Sequence, residues 1–142
     1  MKRTANAVWT GDLKTGKGSF GLGSGALSDQ PYSFKTRFEN EDGKAGSNPE
    51  ELIAAAHASC FAMQLSAFLA EKGFAPSRLE VDADVTLVPG TGITESHLVL
   101  VATVPGMAEA DFMAEAERAK ENCPISKALA AIKVTLEARL AG

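Results

Sequence analysis

The 142-residue sequence has only two cysteines and two histidines, and they are scattered along the chain. Structural zinc sites need four Cys or His ligands at short spacings, so this arrangement excludes a zinc site of that kind. There is no P-loop, and the glycine cluster at residues 21–25 precedes no predicted helix, which excludes a dinucleotide-binding turn. The balance of 14 Lys+Arg against 18 Asp+Glu contains no basic run. Nucleic acid is therefore not an expected partner.

The beginning of the chain also lacks the features of a targeting segment, because no apolar run follows its two basic residues. The longest apolar stretch, residues 52–69, contains four polar side chains and follows two glutamates, which favours a buried helix over a membrane span. We therefore expect a cytoplasmic protein with no membrane partner, in a compartment where structural disulfides are rare. Cys60 and Cys123 are then either inert core thiols or a redox pair.

The first half of the chain changes its hydrophobic period once. Residues 1–47 have short alternating runs between Gly, Pro and Ser turns, which predicts an antiparallel meander whose third strand is 32–38. The segment 47–51, Ser-Asn-Pro-Glu-Glu, then predicts the start of a helix that ends near residue 72. This helix is apolar on most of its circumference, and one sheet of a small domain cannot cover it. We expect a partner subunit to cover the rest.

The second half of the chain predicts a hairpin, two helices and a last strand. Alternating residues at 79–87 and 93–104 predict the hairpin, and 108–121 predicts an amphipathic helix with Phe112, Ala116 and Ala119 facing inward. A short helix at 125–130 and a strand at 132–140 follow. The order β-β-β-α-β-β-α-α-β has no regular βαβ alternation, so the sequence predicts an α+β fold in a single domain, residues 1–142.

Cys60 lies in the middle of the long helix, where a thiol is commonly a small core residue. A reactive thiol must be a thiolate, but burial raises the pKa of a thiol, so a cation would have to reach it. Arg37 is the best candidate, because a guanidinium stays charged when buried and can hydrogen-bond both a thiolate and a peroxide oxygen. A solvated arginine on a strand is an equally open interpretation.

A carboxylate would be needed to orient Arg37, and Glu50 is the candidate. Glu50 and Glu51 can both act simply by favouring the helix dipole, and we assign only that role to Glu51. Glu50 precedes Cys60 by ten residues, which is about 15 Å along an unbroken helix. An arginine that pairs with Glu50 and also reaches Cys60 would therefore have to join two subunits.

The remaining candidates are Cys123 and the two histidines. Cys123 lies at the start of the short helix, where backbone N–H groups favour a thiol that attacks or leaves, although an inert capping cysteine is the alternative. His57 is one turn before Cys60, and a Cys/His pair suggests acyl transfer, but side chains three apart on a helix seldom share a hydrogen bond. His97 has no acidic or thiol neighbour in sequence.

Three segments carry a resemblance: SFKTRFE at 33–39, PEELIAAAHASCFAMQLS at 49–66 and CPISKAL at 123–129. Together they resemble the OsmC/Ohr family, the osmotically inducible and organic hydroperoxide resistance proteins, over essentially the whole chain. The Cys-Pro-Ile-Ser-Lys segment is similar to the OsmC branch. The resemblance implies antiparallel sheets packed around a long central helix, in an intertwined homodimer.

The resemblance also implies thiol-dependent reduction of hydroperoxides, organic ones in preference to hydrogen peroxide, in defence against oxidative or osmotic stress. It maps the attacking cysteine to Cys60, the resolving cysteine to Cys123, the arginine to Arg37 and its carboxylate partner to Glu50. It implies no metal, haem or flavin, and re-reduction by an external dithiol, which in the Ohr branch is a lipoylated protein. An organic peroxide would lie in an apolar cleft lined from both subunits, for which Phe61 and Met63 are candidates.

Two other classes of function remain open. Cys60 with His57 would form an acyl-transfer hydrolase, and His57→Ala should then abolish activity. Alternatively, the protein is a non-enzymatic stress or binding protein whose long helix only packs a dimer. In that case both thiols should stay reduced after treatment with a hydroperoxide.

Overall fold

The computed structural model describes all 142 residues and has the predicted α+β composition. By its internal contacts the chain divides into two compact units, residues 1–52 and 53–142, so a single domain over 1–142 stays a prediction. In chain order the elements are β1 (Ala5–Thr10), β2 (Lys17–Leu22), β3 (Gln30–Tyr32), α1 (Phe34–Phe38), α2 (Pro49–Glu71), β4 (Arg78–Val88), β5 (Gly92–Thr103), α3 (Glu109–Asn122), α4 (Pro124–Ala128) and β6 (Lys133–Leu140).

The first unit contains the predicted antiparallel meander, β1-β2-β3. Aromatic rings hold its face together: the Tyr32 ring lies 5.5 Å from Trp9 and 5.9 Å from Phe20, measured between centroids. β1 forms one edge of the sheet and is exposed along nearly its whole length, with Val8 59% exposed. Apolar side chains therefore remain uncovered in this unit.

The predicted third strand is wrong beyond Tyr32, because the residues after Ser33 form the short helix α1. The Ser33 hydroxyl accepts the N–H of Thr36 at 3.2 Å, and the Thr36 hydroxyl accepts the N–H of Ser33 at 3.0 Å. This reciprocal cap stabilises a first helical turn. Phe34 and Phe38, four residues apart, pack with ring centroids 4.9 Å apart. Arg37 consequently lies on a helix and not on a strand.

The long helix α2 begins and ends where the sequence predicts. The Asn48 side chain caps it by accepting the N–H of Glu51 at 2.9 Å. Gly73 follows its end with φ +85°, a conformation that suits glycine. By length and composition α2 could cross a membrane, a test that core helices of globular proteins also pass. Only 28% of its most apolar 18-residue window is buried inside the chain.

The second unit contains the sheet β4-β5-β6. The predicted hairpin is confirmed by the antiparallel pairing of β4 with β5. The expectation of purely antiparallel sheets is wrong at β6, which pairs parallel to β5. Helices α3 and α4 intervene between these two strands and carry the chain back, so that β6 enters the sheet in the same direction as β5.

The core of the second unit lies between α2, α3 and the inward face of β5. The inward residues predicted for α3, Phe112, Ala116 and Ala119, are fully buried, which confirms that face. The other buried apolar residues of this cluster are Phe61, Leu65, Phe68, Leu69, Leu98, Leu100, Ala102, Val104, Met107 and Cys123.

Candidate active site

Arg37 and Glu50 form an ion pair within one chain. Arg37 Nη2 lies 2.7 Å from Glu50 Oε1, and Arg37 Nε donates to Oε1 at 3.2 Å and to Oε2 at 3.4 Å. The Arg37 side chain is 35% exposed and the Glu50 side chain 9% exposed. Because two of its nitrogens are bonded to the carboxylate, the guanidinium has a fixed orientation, while part of it stays exposed. The structure thus brings together two of the four predicted site residues.

An apolar pocket of about 200 Å³ lies beside Arg37 in the first unit. The guanidinium carbon also lies 5.1 Å from the centroid of the Phe38 ring. The lining of the pocket is almost entirely apolar and consists of Trp9, Leu13, Tyr32, Ser33, Phe34, Arg37 and Phe38. Such a pocket can hold the apolar part of a molecule while the Arg37 guanidinium hydrogen-bonds to the polar group of the same molecule.

Cys60 and Cys123 are both free thiols, and the fold makes them neighbours: Cys60 packs against the buried cluster that contains Cys123. Cys60 is partly exposed, whereas Cys123 is fully buried at the start of α4. Burial raises the pKa of the Cys60 thiol, and the hydrogen bond with Cys123 raises it further. The backbone N–H of Ile125 acts in the opposite direction and offsets part of this rise in the pKa of Cys60. None of these influences is a cation.

An open cleft of about 560 Å³ lies in front of Cys60. Of the two residues proposed to line it, Met63 does and is 76% exposed, whereas Phe61 is fully buried in the core. No charged side chain lines the cleft, whose residues are Ala56, Ser59, Cys60, Met63, Gln64, Ala67, Pro124 and Ile125. An apolar molecule can reach the Cys60 sulfur through this cleft.

His57 does not act on Cys60, because both of its ring nitrogens are bonded elsewhere. Nδ1 lies 2.6 Å from the Ser96 hydroxyl, and Nε2 lies 2.8 Å from the Ser126 hydroxyl. The imidazole is fully buried, and this burial lowers its pKa from the ordinary value of 6.5. The geometry therefore disfavours a Cys60–His57 hydrolase.

Ser96 and Ser126 are the polar partners that the sequence did not identify. They lie on β5 and α4, 39 and 69 residues after His57. Nothing in the local sequence joins residues so far apart, although a histidine in a continuous apolar run does indicate that buried partners must exist. Their hydroxyls satisfy the buried imidazole completely.

His97 also obtains a partner only through the fold. Its Nδ1 lies 2.6 Å from the Thr135 hydroxyl on β6, which donates to Glu95 Oε1 at 3.0 Å. This polar row crosses the sheet and joins β5 to β6. The structure contains no group of three or more His, Cys, Asp or Glu side chains that could hold a metal ion.

Comparisons with known proteins agree over nearly the whole chain. A family model described as OsmC-like protein matches residues 41–137. The peroxiredoxin OsmC of Escherichia coli strain K12 is 45% identical over 143 residues, which cover 99% of this chain and 97% of that protein. An organic hydroperoxide resistance protein of Xanthomonas axonopodis pv. citri is 33% identical over 132 residues, covering 88% and 85% of the two chains. The crystal structure of the organic hydroperoxide resistance protein OhrB of Bacillus subtilis has a TM-score of 0.70 at 26% identity and covers 96% of this chain and 98% of that chain.

Proposed function

Since the chain belongs to the OsmC family, as its sequence motifs predicted, we propose that it is a cysteine-based peroxidase that reduces hydroperoxides, organic ones in preference to hydrogen peroxide. The observation that carries this proposal is the contact between two free thiols, one of which faces an open apolar cleft. The relatives named peroxiredoxin and organic hydroperoxide resistance protein support the same chemistry. Its role is defence against oxidative or osmotic stress in the cytoplasm.

The reaction uses the two thiols in sequence. The Cys60 thiolate attacks the distal oxygen of ROOH, the O–O bond breaks, and RO⁻ takes a proton and leaves as ROH, so that Cys60 becomes a sulfenic acid. The Cys123 sulfur then attacks the Cys60 sulfur, and water leaves as the disulfide forms. An external dithiol reduces the disulfide, is itself oxidised to a disulfide, and restores both thiols.

Arg37 supplies the cation that this thiolate requires, and Glu50 holds it in place. Glu50 lies in the first turn of α2 and Cys60 follows ten residues later, which is about 15 Å of helix at the normal rise. We therefore assign the Arg37–Glu50 pair of one chain to the Cys60 of a second copy. The aromatic pocket beside Arg37 and the cleft in front of Cys60 would then form the two walls around the organic part of the peroxide.

The proposal therefore includes a homodimer, and the uncovered apolar surface of the single chain supports it. Less than a third of the apolar window of α2 is buried. Met63, on the same helix, is 76% exposed. A long apolar helix that its own chain leaves largely uncovered supports association with a second chain.

The decisive experiment treats the reduced protein with one equivalent of cumene hydroperoxide and determines the product by mass spectrometry. We expect a Cys60–Cys123 disulfide, a stable sulfenic acid in Cys123→Ser, and no oxidation in Cys60→Ser. Two reduced thiols after treatment would contradict the proposal. Rates with cumene hydroperoxide and with hydrogen peroxide define the specificity for the oxidant. Rates with dihydrolipoamide and with thioredoxin define the specificity for the electron donor.

A further inference from the structure

His57 is fully buried and joins three elements, although the proposed chemistry does not use it. Because it lies on α2 one turn before Cys60, its place is tied to that of the attacking sulfur. Its Nε2 holds Ser126 on α4, and its Nδ1 holds Ser96 on β5. A buried imidazole with both nitrogens bonded is a rigid connection between the elements that it joins.

We propose that His57 is a positioning residue for disulfide formation: through Ser126 it fixes the start of α4, and thereby Cys123, against Cys60. This inference rests on the proposed roles of the two cysteines. It adds a residue that touches neither the peroxide nor the reacting sulfur atoms.

The position of Cys123 depends on the position of Ser126, because both residues belong to the same turn at the start of α4. Cys123 precedes the helix, and its carbonyl accepts the N–H of Lys127 at 3.0 Å, so Ser126 lies within the same closed turn. Ile125, which is also in this turn, lines the cleft together with Cys60, and its backbone N–H offsets part of the rise in the pKa of that thiol. A displacement of Ser126 would therefore move the Cys123 sulfur and the Ile125 N–H together.

The step that depends on this position is the condensation. The Cys123 sulfur attacks the Cys60 sulfenic sulfur, the S–O bond breaks, and the oxygen leaves as water with the proton of Cys123. Disulfide bonds form only within narrow limits of distance and angle. In the first step peroxide meets Cys60 from the open cleft, which Pro124 and Ile125 of α4 help to line, but no atom of α4 forms or breaks a bond there, so this step depends less on the exact position of α4.

Two serine variants separate positioning from simple structural support. Ser126→Ala and Ser96→Ala each leave one ring nitrogen of His57 without its partner in a buried site, so the two should lose similar stability. Only Ser126→Ala releases α4. Rapid mixing with cumene hydroperoxide, followed by quenching with dimedone and mass spectrometry, gives the rates of sulfenic acid formation and of disulfide formation.

In Ser126→Ala we expect the disulfide to form at least about tenfold more slowly, because small displacements of reacting groups are costly, while sulfenic acid accumulates. In Ser96→Ala the same rate should stay within about twofold of the wild type, and Ser126→Thr, which keeps the hydroxyl, should recover most of it. Equal slowing in both alanine variants, or no slowing in either, overturns the inference. Thermal unfolding of each variant confirms that the comparison is made on folded protein.

The wild type serves as the control for the proposed function itself. If it forms no Cys60–Cys123 disulfide, the peroxidase proposal fails. If it forms the disulfide and Ser126→Ala does so equally fast, the peroxidase proposal stands and only the role of His57 is withdrawn.

Discussion

Cys60 and Cys123 are the same chemical group in two different surroundings. Cys60 is partly exposed at an open cleft, whereas Cys123 is fully buried. Burial keeps the pKa of Cys60 above that of an ordinary thiol, so the single chain has little thiolate at neutral pH. A peroxidase built on this thiol therefore needs a positive charge from outside its own cleft.

The first prediction concerns Arg37. Arg37→Met should lower kcat/KM for cumene hydroperoxide about 100-fold, the usual scale for losing one aligned electrostatic donor. It should also shift the pH profile of Cys60 alkylation upward, because the thiolate loses its counter-charge. Arg78→Met is the matched control, since Arg78 pairs with Glu80 in an exposed site and lines neither the aromatic pocket beside Arg37 nor the cleft in front of Cys60. Equal pH profiles for wild type and Arg37→Met would contradict the role of Arg37.

The second prediction concerns the titration of His57, whose pKa is lowered by burial. Between the folded pKa and the ordinary value of 6.5 the unfolded chain binds the proton more readily, so the free energy of unfolding falls as the pH drops below about 6.5. The slope from this one group reaches at most about 1.4 kcal/mol per pH unit. NMR titration of the His57 ring tests whether its lowered pKa is the cause, and the variant His97→Gln assigns the two histidine signals. A His57 ring that is protonated at or above pH 6.5 would contradict this prediction.

At the scale of elements, α1 determines where Arg37 points. The helix has only five residues and depends on the reciprocal cap between Ser33 and Thr36, together with the contact of Phe34 and Phe38. Such a short helix has little stability of its own. The loss of one capping hydrogen bond should therefore change the position of the Arg37 guanidinium.

The third prediction follows from this dependence. Ser33→Ala removes the acceptor for the Thr36 N–H and should destabilise α1 by about 1 kcal/mol. If that energy sets the fraction of chains with Arg37 in place, kcat/KM falls about fivefold. Ser33→Asp, which can cap again, should restore the wild-type value. Steady-state kinetics with cumene hydroperoxide measure kcat/KM of both variants. An unchanged kcat/KM in Ser33→Ala would show that activity does not depend on the cap of α1.

The same element explains what could be predicted from the sequence. The periodic segments that form α2, α3 and the β4–β5 hairpin are long. Their hydrophobic patterns therefore predict these elements without information from the rest of the fold. Five residues of α1 alternate in polarity like a strand, and only the cap atoms of Ser33 and Thr36 decide otherwise. The parallel pairing of β6 and the Ser126–His57 contact are long-range, and no local pattern encodes them.

At the scale of the whole molecule, the predicted site residues occur as two separate pairs. Arg37 pairs with Glu50 in the first unit, and Cys60 contacts Cys123 in the second. An assembly of two copies with one pair from each chain at every site would contain two complete sites. In such an assembly, a monomer would have no complete site, so activity would depend on dimer formation.

The fourth prediction tests this directly with mixed dimers. Glu50→Ala and Cys60→Ser chains should each be inactive, but their mixture, after exchange of subunits, should recover activity. The mixed dimer has one site with an intact Cys60 from the first chain and an intact Glu50 from the second. Native mass spectrometry, which resolves the mixed dimer from the two parent dimers by mass, establishes that exchange has occurred. No recovery in an exchanged sample would place Glu50 and Cys60 of a single chain in the same site.

In the proposed reaction, the proximity of Cys60 and Cys123 would also determine how much oxidant the protein withstands. Condensation of the sulfenic acid with its neighbour is independent of peroxide concentration, whereas further oxidation to sulfinic acid requires a second peroxide molecule. The ratio of the two rate constants is therefore the peroxide concentration at which half of the sulfenic acid is lost. The share of molecules that is lost at each turnover rises continuously with the peroxide concentration and is small well below this value. The activity that survives in a sample consequently records both the concentration of peroxide and the number of turnovers.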